Sequence, residues 1–257
     1  MRGESAVRAE IVARLRALSE DGYRKFNASL IPGKENILGV RLPALRAYAK
    51  ELSGDFREVF EEYGIRPLNA PDFSEPLPSE RFLEEDLLCG ILLSRAKTDF
   101  SEFAAYVRGF VPRIDNWSVC DCTVMGLKRF GKRPEEAWEL ISPYFSAPGE
   151  YGVRVAVVSL LAHFASAAWL ERGLRELERL SDGRLAGKYY AQMAVAWAYS
   201  VYWVKFPVRT RAELEKIADP LILKKTISKT CESYRVSDGD KAFLREYRKN
   251  NLKEEKI

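Results

Sequence analysis

Three successive blocks of the chain repeat one pattern, and this recurrence limits the fold more than any other feature. They read "DFSEFAAYVRGFVPRIDNWSVCDCTVMGLKRF", "RPEEAWELISPYFSAPGEYGVRVAVVSLLAHF" and "SAAWLERGLRELERLSDGRLAGKYYAQMAVAWAYSVYW". Each is an amphipathic helix, a short break and a more apolar helix. The blocks end near Phe130, Phe164 and Trp203, a period of about 34 to 39 residues, which is the range of paired-helix solenoids. A single helix pair cannot bury its own apolar faces. Stacked pairs share a core, and their second helices line one concave wall.

The flanking sequence agrees. Strand-like alternation is scarce, and Ala, Leu, Arg and Glu are abundant, which favours helix. Asp21 and Gly22 break the first helix from the next. "LIPGKENILGV" reads as a loop through Pro32 and Gly33, and "RLPALRAYAKEL" restarts a helix with Pro43 near its first turn. The longest irregular stretch, "YGIRPLNAPDFSEPLPSE", carries Pro67, Pro71, Pro76 and Pro78. It reads as an insertion between helix pairs. The expected fold is therefore all-α, a superhelical solenoid of antiparallel helix pairs of the HEAT-like or armadillo type, forming one domain over 1–257.

Several function classes lose support from the residue inventory. The N-terminus, "MRGESAVRAEIVARLRAL", mixes charges into every turn and has no apolar signal core. The apolar run "YYAQMAVAWAYSVYWVKF" contains Gln192, Ser200 and four tyrosines, so it reads as a buried helix rather than a membrane span. Cys89, Cys120, Cys122 and Cys231 show neither a metal-ligand pair nor a disulfide framework, the pattern of reduced thiols. The only histidine, His163, sits in "VVSLLAHF" and reads as a packed helix residue. No metal or cofactor is expected, and a cytoplasmic monomer with no membrane partner is. The net charge is +4, but fourteen Lys/Arg face nine Asp/Glu from Trp203 onward. The basic end fits either a solvated tail or a phosphate-binding surface.

Four residues on three successive second helices stand out. In "DNWSVCD", Trp117 and Asp121 are four apart and share a helix face, with Asp115 or Asn116 placed to cap the start. On a wheel of about 100° per residue, Val119, Cys120, Thr123, Val124, Leu127 and Phe130 form an apolar arc with Trp117. Asp121 falls just past its edge, where it could serve structure or chemistry. Arg154 lies between Val153 and Val155 in an apolar helix and needs an anion, a salt bridge or a route to water. Trp197 is large among Ala194, Ala196 and Ala198, and fits either core filling or a binding wall.

The order of these features resembles the AlkD-type DNA alkylation repair family, HEAT-like repeat DNA glycosylases, over roughly 22–249. "NILGVRLPALRAYAKEL" is similar to the family's Gly-Val-Arg-x-Pro-x-Leu-Arg segment, and "DNWSVCD" to its Trp-x-x-x-Asp helix. "GVRVAVV" and "QMAVAWAYS" resemble the segments holding its DNA-contacting arginine and second tryptophan, and "ISKTCESYRVSDGDKAFLREYRK" resembles its C-terminal helices. Where relatives carry Lys or Arg near that tryptophan, this chain has Met193 and Ser200. The resemblance implies hydrolysis of the N-glycosidic bond of N3- or N7-alkylated purines in double-stranded DNA. It assigns catalysis to Asp121, flanked by Trp117 and Trp197, and DNA binding to Arg154. A non-catalytic nucleic-acid-binding repeat module and a protein-interaction scaffold are the alternatives.

Overall fold

The computed structural model describes residues 6–74 and 80–252. Among them the chain is all-α: fourteen α-helices, no strand, and one isolated bridge between Ser19 and Val40. It divides into two compact units, Met1–Pro143 and Tyr144–Ile257.

The first unit contains α1 (Ala6–Ala17), α2 (Asp21–Leu30), α3 (Leu42–Glu51), α4 (Phe56–Glu62), α5 (Leu83–Arg95), α6 (Phe100–Phe110), α7 (Trp117–Gly126) and α8 (Pro134–Ile141). Alternate helices stack, α3 on α5 and α5 on α7, as in a helical repeat. Pro43 lies in the first turn of α3, and Asp99 caps α6 by accepting from the Glu102 N–H at 2.8 Å. Pro67 and Pro71 lie in the non-helical stretch between α4 and α5, whereas Pro76 and Pro78 fall outside the described residues. Helix α7 stops at Gly126, and Phe130 packs from a separate short turn.

Helix α5 is the central element, every residue from Leu83 to Leu93 buried and only its last turn reaching the surface. That burial includes three consecutive acids, and each is matched. The Glu84 carboxylate accepts from the backbone N–H groups of Leu38 (2.9 Å), Gly39 (2.7 Å) and Val40 (3.2 Å). Glu85 accepts from Arg8 and the Tyr63 hydroxyl, both at 2.9 Å, and reaches back to the Phe82 N–H at 2.7 Å. Asp86 pairs with Arg81 at 3.2 Å and Arg113 at 3.3 Å. Burial still holds its carboxyl above the usual range, the two arginines opposing the shift. Gly90 permits the close approach of α7, since a Cβ there would lie 1.9 Å from Thr123 Oγ1.

The second unit contains α9 (Glu150–Ser159), α10 (Leu170–Leu180), α11 (Tyr189–Lys205), α12 (Pro207–Arg211), α13 (Pro220–Glu232) and α14 (Asp238–Asn251). Helix α11 packs on α9 and on α13. Helix α9 runs on into a π-helical turn, Leu160–Phe164, which carries the half-buried His163. Asp219 caps α13 by accepting from Leu221 and Ile222, and takes a further bond from Gln192 of α11 at 2.8 Å. All four cysteines are free. Among the described residues, no helix is long and apolar enough to cross a membrane.

Candidate nucleic-acid interface

The start of α7 is held by a chain of polar contacts from the end of α2. Asn116 is the N-cap, its side-chain oxygen accepting from the Val119 N–H at 3.0 Å. Its amide donates to Asp115 at 2.6 Å, and Asp115 in turn accepts from Lys34 at 2.6 Å. Trp117 donates its indole N–H to the Leu30 carbonyl at 3.1 Å, one of the carbonyls a helix end leaves without an intrahelical donor. The first turn of α7 is thereby stapled to the last turn of α2. The apolar arc anticipated for α7 is buried at Val119, Cys120, Thr123, Val124, Leu127 and Phe130, while Trp117 and Asp121 are half-buried.

Trp117 and Asp121 line one pocket of about 650 Å³, lying wholly in the first unit. Another part of its wall comes from α2, whose Phe26 is 56% exposed and forms a stacked pair with Tyr23 (ring centres 6.1 Å apart, 29° between planes). No residue of α2 is buried, so its apolar side serves the pocket rather than the core. Arg46 of α3, Arg95 of α5 and Lys128 after α7 are also part of the lining, and all three are exposed. The stacked helices therefore bring three cations to one opening, beside one carboxylate and three aromatic rings. Cys122 lies in the same wall. Burial raises its thiol pKa, Arg46 pulls it down and Asp121 pushes it up. Among the described residues, no three His, Cys, Asp or Glu side chains cluster so as to hold a metal ion.

Arg154 and Trp197 belong to the second unit. Arg154 is 6% exposed and donates to the Tyr190 carbonyl at 2.6 Å. One turn earlier, Glu150 accepts from the N–H groups of Tyr190 and Ala191. Both residues of α9 thus grip the first turn of α11, the helix that carries Trp197. Trp197 is half-buried and lines a different pocket, about 390 Å³, with Lys205, Lys229, Tyr234 and Arg235. Sequence reasoning missed the α2 aromatic wall and the Arg46, Arg95 and Lys128 rim. No sequence pattern singled out Phe26 or the three cations, and only the stacking of α3, α5 and α7 brings the cations together.

Comparison with known proteins adds one finding: a family model described as DNA alkylation repair enzyme matches residues 11–202. The match begins before the anticipated span and ends before the C-terminal "ISKTCESYRVSDGDKAFLREYRK" segment. No curated protein and no solved structure gives a significant match.

Proposed function

The chain belongs to the DNA alkylation repair enzyme family, and on that premise we propose that it is a DNA glycosylase releasing N3- or N7-alkylated purines from duplex DNA. The observation that carries this reading is Asp121, one helical turn from Trp117, in a pocket opening onto three exposed cations. An alkylated purine is already cationic, so the C1′–N bond breaks with the base taking the bonding pair and leaving neutral. The sugar becomes oxocarbenium-like. Asp121 stabilises that charge and orients a water. The water oxygen bonds to C1′ and its proton passes to Asp121 and on to solvent, leaving free base and an abasic site. Trp117 covers the deoxyribose and excludes bulk water. Arg46, Arg95 and Lys128 hold the neighbouring phosphates. Arg154 and Trp197 are assigned to the same DNA on the family motif alone.

The test is release of methylpurine from methylated duplex DNA. Wild type should release it, and Asp121→Asn should bind the duplex but release little. Absence of release by wild type, or equal release by Asp121→Asn, would overturn the proposal.

A further inference from the structure

The second pocket raises a separate question, because most of its polar lining lies beyond the stretch that matches the family. Lys205, Lys229, Tyr234 and Arg235 all follow residue 202. Tyr234 is 84% exposed, a large ring held out in water between α13 and α14. The turn that presents it is ordered. Ser233 N–H donates to the Thr230 carbonyl at 3.2 Å, Ser233 Oγ accepts from the Arg235 N–H at 3.3 Å, and the following Val236 is buried. The Arg235 guanidinium sits 5.5 Å from the centre of the Tyr234 ring and its Nε donates to the Tyr234 hydroxyl at 3.3 Å. Lys205 donates to the Ala165 carbonyl at 2.7 Å, which leaves the rest of a three-donor ammonium for other acceptors. Among the described residues, Glu232 is the only carboxylate in the lining, against three cations.

We propose that this turn, with Lys205 and Lys229, is a second DNA-binding subsite that grips the phosphodiester backbone of the duplex. The argument is one of charge and shape. A net positive pocket favours an anion, and a preorganised arginine with a flat ring beside it suits a phosphate and its sugar. Arg235 takes the phosphate, Lys205 and Lys229 supply the field, and Tyr234 packs its face on the adjoining deoxyribose. The subsite positions DNA and takes no part in bond breaking. It rests on the DNA substrate of the proposed function, not on base release.

The experiment uses the full chain and a fluorescein-labelled undamaged duplex, with anisotropy read across a salt series. Arg235→Ala should bind about tenfold more weakly and lower the slope of log K against log salt by about 0.9. Tyr234→Ser should weaken binding, and Tyr234→Phe should retain it. Both side chains are exposed, so circular dichroism and melting temperature should not change. Wild-type affinity and salt slope in Arg235→Ala and Tyr234→Ser would overturn the subsite. The two proposals fail separately. Weakened binding in the variants with no base release by wild type removes the glycosylase and keeps the subsite, and base release with unaltered binding does the reverse.

Discussion

Glu84 offers a sharp test of how the first unit is held together. Its carboxylate is fully buried and is the acceptor for three consecutive backbone N–H groups, those of Leu38, Gly39 and Val40. These residues form the link between α2 and α3, the two helices that place Phe26 and Arg46 on the pocket. Gly39 is in the left-handed region (φ +87°), where only glycine fits so close to Glu20 and Arg24. Glu84→Ala would strand all three donors. At roughly 1.5–3 kcal/mol for each hydrogen bond to a charged group, with some recovery by entering water, the loss is about 3–5 kcal/mol. Glu84→Gln is milder for a geometric reason. Oε1 serves Gly39 and Val40 and could be kept, but an amide NH₂ would replace the Oε2 that serves Leu38. A donor then faces a donor, at a cost of about 2–3 kcal/mol. Urea unfolding followed by circular dichroism measures both. The order wild type, Gln, Ala should be clear. An alanine variant within about 1 kcal/mol of wild type would refute the assignment of Glu84 as the anchor of this loop.

Three further outcomes follow from the site. Gly90→Ala forces a Cβ against Thr123 Oγ1 and should destabilise by about 1–3 kcal/mol; Gly90→Ala combined with Thr123→Ala should recover much of the loss in the same urea assay, and no recovery would contradict the contact. Cys122 should label slowly with iodoacetamide at neutral pH because its thiol pKa is raised by burial, and the rate should still be climbing above pH 9, the ordinary thiol midpoint. Because Asp121 contributes to that rise, Asp121→Asn should speed labelling at pH 8, and an unchanged rate would place the carboxylate away from Cys122. Lys34→Met breaks the Lys34–Asp115–Asn116 chain at the cap of α7. It should slow base release more than it weakens DNA binding, with Lys34→Arg restoring the rate, and equal loss of both would mark Lys34 as a direct DNA contact instead.

The helical order was legible because it rests on periodicity and punctuation. Pro32, Gly33 and Pro43 mark the break before α3, and Asn116 before an apolar arc marks the start of α7. The i, i+4 spacing of Trp117 and Asp121 was enough to put both in one pocket wall. The acids Glu84, Glu85 and Asp86 were not legible as buried groups, since carboxylates in a first turn ordinarily face water and favour the helix dipole. Their burial depends on donors far along the chain, 44 to 46 residues away for Glu84 and, for Glu85, 22 residues away at Tyr63 and 77 at Arg8. Arg154 was expected to need an anion, a salt bridge or a route to water, and its guanidinium donates to the Tyr190 carbonyl. The Tyr190 carbonyl could not be anticipated, because backbone acceptors leave no mark in side-chain patterning. The pocket rim was hidden for a similar reason: Arg46, Arg95 and Lys128 lie on three elements that only tertiary stacking brings together.

The central claim is that Asp121 acts on the sugar rather than on folding or DNA affinity. Single-turnover release of 7-methylguanine from a methylated duplex, with protein in excess and binding measured in parallel, tests it most directly. The expected result is a rate at least about 10²-fold lower for Asp121→Asn, with the dissociation constant and melting temperature of wild type. Equal rates for the two proteins, or a loss that follows weakened binding, would contradict it.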